Sequence, residues 1–254
     1  MNNILVVIPV HTVDEDVKNM LPRALSTVPS GFDVRISCAF GLKDELEKIV
    51  GDKKVEFIEN VEGGNNNFQT LVNRAIDGYK WFSILEFDDI YSPIWKNNVL
   101  SYIEHKPDTS VMMCMEDLVD EKKEFVGFGN DAPWASSFSD EIGYIDNECL
   151  KSYFDFYMTG SLFNVDDWKS IGGLKESMKL TFWYEFLLRA TNFGKKVFVM
   201  PKVGYIHMIG RKNSLVDICK DTLSDEEGQW WFDTARHEYF YKEDRKKEFQ
   251  KEEE

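Results

Sequence analysis

Cysteine is scarce in this chain: Cys38, Cys114, Cys149 and Cys219 are scattered through 254 residues, and none has metal-site spacing. A chain of this length needs no covalent staples, so four reduced thiols are expected. The expected compartment is the cytoplasm, of a bacterium or of a virus-infected host cell. Long apolar runs are missing as well. The apolar opening at residues 4–8 falls far short of the roughly 20 residues of a membrane span. Neither a positive segment nor a small-residue cleavage site accompanies it, so it reads as a strand and not a signal, and no stable membrane insertion is expected. Positive charge is in deficit, with 30 Lys and Arg against 45 Asp and Glu, a formal net charge of -15. That balance excludes a broad polyanion-binding surface. Glycine-rich phosphate loops are absent after the first strand, where His11-Thr12-Val13-Asp14 stands. This removes the classical dinucleotide oxidoreductases and the nucleotidyltransferases, which hold a triphosphate there.

What remains is an ordinary globular composition, 43% hydrophobic and 30% charged, rich in aromatics with 19 Phe and 7 Trp. One sizeable core is within its reach. Residues 4–10 read as a buried strand. Thr12 and Glu15 have capping-box spacing ahead of a helical face at Val13, Val17, Met20, Leu21 and Leu25, with Pro22 expected to kink it. Strands at 32–40 and 55–58 alternate with a short helix, the signature of a parallel α/β sheet. A helix follows with apolar positions Phe68, Leu71, Val72, Ala75 and Ile76, then a strand over 81–87. Ser92 and Pro93 read as cap and first turn of the next helix, and 111–115 as another strand. The stretch 116–144 is either a hairpin excursion or an active-site loop. Beyond it come an aromatic strand at 153–163 containing Gly160, a helix over 180–193, a strand at 196–200, and a helix opened by Ser224 and Glu227. The division read here is a domain over 1–215 and a helical extension over 216–254 packed on it.

The strongest chemical signal is Glu86-Phe87-Asp88-Asp89, three carboxylates at the end of an apolar strand. In a parallel α/β sheet the carboxyl ends of the strands form the ligand crevice. Alternation sends Glu86 and Asp88 to one side, and hard oxygen ligands there suit Mg²⁺ or Mn²⁺. The competing role for these acids is to cap the helix that follows, which fits Asp89 best.

Seven segments follow one another along the chain: Ile4-Leu5-Val6-Val7-Ile8-Pro9-Val10, Val72-Asn73-Arg74-Ala75-Ile76, Leu85-Glu86-Phe87-Asp88-Asp89, Gly160-Ser161-Leu162-Phe163, Ile171-Gly172-Gly173-Leu174, Glu185-Phe186-Leu187-Leu188-Arg189 and Gly194-Lys195-Lys196-Val197. In their order and spacing the chain resembles the family 2 glycosyltransferases of GT-A fold. The resemblance implies a Rossmann-like, mostly parallel sheet flanked by helices. It also implies a metal-dependent, inverting transfer of a sugar from a nucleotide-diphosphate donor, with a UDP-sugar favoured. Asp88 matches the metal-binding acid and Glu86 the position that meets the donor ribose. Glu185, in Tyr184-Glu185, matches the general base that takes the acceptor hydroxyl proton. His207 and Arg211 match a late His for the metal and an Arg for the diphosphate. Pro9, His11, Phe40 and Asn73 complete the expected donor site, because the family's base-contacting Asp pair is replaced here by Cys38-Ala39-Phe40.

Other roles compete for these residues. Glu185 stands four residues before Arg189, the spacing of an ordinary helical ion pair. Trp183 and Tyr184, with Gly160 nearby, form either an acceptor platform or core. The implied acceptor is a glycan or a hydroxymethylated DNA base; the latter requires a local basic face around Lys195-Lys196, Lys202 and Arg211-Lys212. The non-enzymatic alternative is a GT-A-like binding or scaffold protein that has lost turnover.

Overall fold

The computed structural model describes residues 3–212, 214, 217–218, 222–237 and 239–240; Cys219 and the stretch 241–254 lie outside them. The first half alternates strand and helix as the periodicity predicts: β1 (Ile4–Val10), α1 (Glu15–Thr27), β2 (Asp33–Cys38), α2 (Lys43–Val50), β3 (Glu56–Glu59), α3 (Phe68–Asn73) and β4 (Trp81–Ile84). There follow β5 (Ile90–Tyr91), α4 (Trp95–His105), β6 (Val111–Val119), β7 (Phe125–Gly129), β8 (Tyr144–Ile145) and α5 (Asn147–Ser152). The last elements are β9 (Leu162–Asn164), α6 (Val165–Ser170), α7 (Phe182–Asn192), β10 (Val197–Met208) and α8 (Asp225–His237).

These strands form one sheet in the order β3-β2-β1-β4-β9-β6-β10-β5, with β7 added to β6 and β8 to β10. Its long ladders, β1 with β2, β1 with β4, and β6 with β10, are parallel, and the short ones at β9, β5, β7 and β8 are antiparallel. Alternation along the strands splits the buried side chains between two faces. Ile4, Val6, Ile8, Met112 and Cys114 join the core under α1, α2 and α4. Leu5, Val7, Val111 and Met113 join the core under α3 and α5 to α8. Helix α8 docks on α7 through Phe232, which stacks on Tyr184 at 5.3 Å, and on α5 through Arg236, which donates to the Lys151 carbonyl at 3.1 Å.

Several local expectations change. Asp14 caps α1, its carboxylate accepting from the Val17 amide at 2.9 Å, and Pro22 sits inside the helix without ending it. The Ser92 hydroxyl accepts from the Ile94 amide, and α4 begins only at Trp95. Residues 116–144 begin as a hairpin, β6 running on to Val119 and returning as β7. The aromatic stretch from 153 is irregular until β9. Gly160 precedes that strand at φ +72, and a Cβ there would meet the Tyr205 ring. Only glycine fits this close approach. The Ser224 hydroxyl accepts from the Glu227 amide at 3.1 Å at the start of α8, as its spacing predicts.

Candidate functional site

Strand β4 stops at Ile84, two residues before the acids. The backbone then turns, Asp89 N–H donating to the Glu86 carbonyl at 3.2 Å, and re-enters the sheet as β5. The turn, and not strand alternation, gathers the carboxylates of Glu86, Asp88 and Asp89, with ligand atoms within 4.8 Å of one another. Strand β10, which pairs with β5, carries His207 to the same place, and Arg211 follows three residues after its end.

Each acid has a different set of partners. Asp88 accepts from Arg211 Nε at 2.6 Å through Oδ2, while its Oδ1 is buried and unpartnered. Asp89 is saturated: Oδ2 lies 2.8 Å from His207 Nδ1, and Oδ1 accepts from the Met208 amide at 2.7 Å. Glu86 is half-buried, and its own amide donates to the Tyr205 hydroxyl at 3.0 Å. Arg211 also reaches Asp16 on α1 at 3.2 Å and lies over the Phe87 ring.

Electrostatics follow from this crowding. Burial, then Asp89 and Asp88, push the Glu86 carboxyl up to about 8. Burial and Asp89 raise Asp88 against the opposing pull of Arg211. Burial alone would lower His207, but Asp89, helped by Glu116 and Glu86, pushes it up to about 10.

Glu116 is a member of this cluster that the sequence did not single out. It is fully buried on β6, and neither carboxylate oxygen has a hydrogen-bond partner. Burial drives its carboxyl well above the ordinary range, and His207, Asp89 and Glu86 are the charges that act on it. The signal was present in the strand: Met112, Cys114 and Glu116 alternate toward one face, so an acid falls on the buried side.

The expected donor residues divide into two groups. His11 is the first residue beyond β1, where burial and then Arg211 lower its imidazole. Phe40 is half-exposed beyond β2, at the same edge of the sheet. Pro9 lies buried inside β1, paired with Ser37. Asn73 is committed elsewhere: its amide donates to the Leu174 carbonyl at 2.8 Å and its oxygen accepts from the Leu174 amide at 2.9 Å.

The expected catalytic and acceptor residues each have bonding partners of their own. Glu185 is 1% exposed. It bonds Arg189 twice, at 2.9 and 2.8 Å, Lys175 at 2.9 Å and the Tyr239 hydroxyl at 2.9 Å. Burial would raise its carboxyl, yet Arg189 and Lys175 hold it below the ordinary value. A carboxylate so stabilised is a weak proton acceptor, and this geometry does not carry the general-base assignment. Tyr184 is buried with its hydroxyl on the Leu150 carbonyl at 2.6 Å. Trp183 packs among Phe68, Phe163 and Phe182. Tyr184 is core, and Trp183 is half-buried and packed against that core. Gly160 bridges the sheet, its amide on the Ile84 carbonyl and its carbonyl accepting from Trp95 Nε1 at 2.7 Å. The proposed basic face is largely paired, Lys195 with Asp167, Lys196 with Asp108, and Arg211 with Asp88 and Asp16.

Hard oxygen donors, one of them buried and unpartnered on Asp88, suit a magnesium-like cation held by Asp88 and Glu86. His207 joins this group through Asp89. Beside Arg211 a cleft of about 320 Å³ opens among Asp16, Met20, Glu121, Met208 and Lys212. Among the described residues, no helix is long and apolar enough to cross a membrane.

No family model and no curated protein matches this sequence. Solved structures do match. Residues 1–349 of S. aureus TarS share 14% identity, with TM-score 0.58, over 94% of this chain and 73% of that one. The same TarS segment matches in complex with UDP-GlcNAc at TM-score 0.59 and 13% identity, and in complex with UDP at TM-score 0.58 and 13% identity. The chain therefore has the GT-A-like α/β fold of the glycosyltransferase TarS.

Proposed function

We propose that the chain transfers a sugar from a nucleotide-diphosphate donor to an acceptor hydroxyl, using a divalent cation, Mn²⁺ or Mg²⁺, held at Asp88 and Glu86. The observation that carries this reading is the carboxylate turn after β4, with its free Asp88 oxygen, facing His207 from β10 and Arg211 just beyond that strand. The cation supplies positive charge to the leaving diphosphate when bound. Arg211 sets its guanidinium charge beside the cation for the phosphate oxygens, though its Nε and Nη1 already bond Asp88 and Asp16, and Phe40 offers an exposed ring to the base. A UDP-sugar is favoured as donor because TarS, of the same fold, was crystallised with UDP-GlcNAc and UDP. Inversion rests on the family resemblance alone, because Glu185 is committed to Arg189, Lys175 and Tyr239. Pairing of the basic side chains favours a glycan over a hydroxymethylated DNA base as acceptor. A cytoplasmic location fits the scattered cysteines.

The test is calorimetric binding of UDP and UDP-GlcNAc, with and without Mn²⁺, on wild type and Asp88→Ala. Metal-dependent binding that Asp88→Ala abolishes is the expected result; no binding by either ligand overturns the reading. The closure of Glu185 favours one second reading, a protein that binds the nucleotide-sugar without turning it over. Slow hydrolysis of bound UDP-GlcNAc by wild type would eliminate it.

A further inference from the structure

The segment leading into β9 passes close to the acid turn. Strand β9 runs antiparallel to β4, so the residues before it lie at the end of β4 where the carboxylates begin. There the Gly160 amide bonds the Ile84 carbonyl at 2.8 Å, and Tyr157 stands three residues earlier. One side chain holds both backbone groups of Tyr157. Asn130 Oδ1 accepts from its amide at 3.0 Å, and Asn130 Nδ2 donates to its carbonyl at 2.8 Å and to the Cys114 carbonyl at 2.9 Å. Asn130 is 1% exposed and left-handed, at φ +64, an uncommon backbone that its bonds keep in place.

What the ring rests on turns it toward the acids. Glu116 pairs with Gly129 on one side and Tyr205 on the other, and Leu118 pairs with His207, so these residues share one face of the sheet. On that face a Cβ at Gly129 would stand 2.8 Å from the Tyr157 ring, so the missing side chain is what seats it. The ring centroid lies 5.2 Å from that of His207. Tyr157 is half-buried, and among the described residues its hydroxyl has no hydrogen-bond partner.

Sheet order sets what this ring can meet. His11 and Phe40 follow β1 and β2 on one side of β4, whereas Tyr157 leads into β9 on the other. On the donor reading above, on which this step rests, a nucleoside diphosphate stretched from Phe40 to a cation at Asp88 carries its sugar beyond the acid turn, toward Tyr157. We propose that Tyr157 walls the sugar subsite: its ring packs against the pyranose of a UDP-sugar and its hydroxyl bonds a sugar hydroxyl. A tyrosine offers an apolar face and a polar tip in one rigid group, and a few such groups fix a ligand's orientation.

The experiment is calorimetry of UDP, UDP-glucose and UDP-GlcNAc with Mn²⁺ on wild type, Tyr157→Phe and Tyr157→Ala, each checked for folding by its thermal melt. Tyr157→Ala is expected to weaken the UDP-sugar that wild type binds best by about 10-fold and to leave UDP within about twofold. Tyr157→Phe keeps the ring without the hydroxyl and should fall between wild type and Tyr157→Ala. A merely structural role beside His207 would disturb the cation site and weaken UDP as much as the UDP-sugars. Equal losses for UDP and UDP-sugar overturn the proposal while leaving the donor reading intact. So does no loss for either sugar, the pattern of a ring that serves the acceptor alone. Absence of UDP binding to wild type defeats both. A second measurement needs no variant: in NMR of wild type with Mg²⁺, nuclear Overhauser contacts are expected between the Tyr157 ring and the sugar protons. Contacts to the uracil or ribose alone count against the proposal.

Discussion

Arg211 holds Asp88 by one carboxylate oxygen, at 2.6 Å from Nε, and leaves the other oxygen buried without a partner. Removing the guanidinium strands a buried charge, which costs about 3–5 kcal/mol in comparable pairs. Arg211→Ala is therefore expected to lower the melting temperature markedly at pH 7 and less at pH 5, where Asp88 escapes by taking a proton. Thermal melts at the two pH values check this. An equal drop at both would mean that the pair contributes through packing alone.

The metal-free protein is expected to lose stability as pH rises through neutrality. Glu86 carries a folded value pushed up to about 8, and burial drives Glu116 well above its ordinary value. For an acid shifted upward, the stabilising contribution is fully present below the unfolded value, about 4.3, and is lost as pH climbs to the folded one. His207, raised to about 10, adds a loss of the same sign above its unfolded value of about 6.5. Melts from pH 5 to 8 should show a falling temperature, flattened by Mn²⁺ and by Glu116→Gln. A flat profile in the metal-free wild type refutes it.

Glu185 is predicted to be a stability residue. Glu185→Ala leaves Arg189 buried without its carboxylate and takes one acceptor from the Tyr239 hydroxyl, at a cost of about 3–5 kcal/mol. Chemical denaturation measures this directly. Donor hydrolysis by Glu185→Gln, normalised to folded protein, should stay near the wild-type rate; a large fall with unchanged stability would restore the general-base role.

Gly160→Ala combines a left-handed backbone at φ +72 with a Cβ driven into the Tyr205 ring. Strain and overpacking together are expected to cost at least about 2 kcal/mol. Because Tyr205 carries its hydroxyl to the Glu86 amide, metal affinity should fall with stability. Denaturant melts paired with Mn²⁺ titration test both.

The acid turn was legible because it interrupts an apolar strand, and the core strands because their periods are simple. The fate of those acids was not. Nothing local distinguishes Asp88 from Asp89; the distinction is made by Arg211 and His207, more than a hundred residues away. Asn73 looked like a donor contact because its clamp partner Leu174 is equally remote. The ion pair of Glu185 with Arg189 could be read from their spacing, but Lys175 and Tyr239, which complete its enclosure, could not. Glu116 could have been found by continuing the two-residue alternation one step past Cys114.

The two halves of the site are tied by very little backbone. Tyr91 with Tyr205 and Ile90 with Ile206 pair β5 with β10, the Ser92 amide donating to the Gly204 carbonyl just beyond, and this short ladder follows directly on the acid turn and precedes His207 directly. Acids and bases are thus spaced by main-chain register and not by the reach of flexible side chains. A slip of one residue would turn His207 to the opposite face of the sheet. The site is a clasp with two rungs: it keeps its spacing while the sheet holds register, and lengthening the turn by a single residue would undo it without altering one charged group.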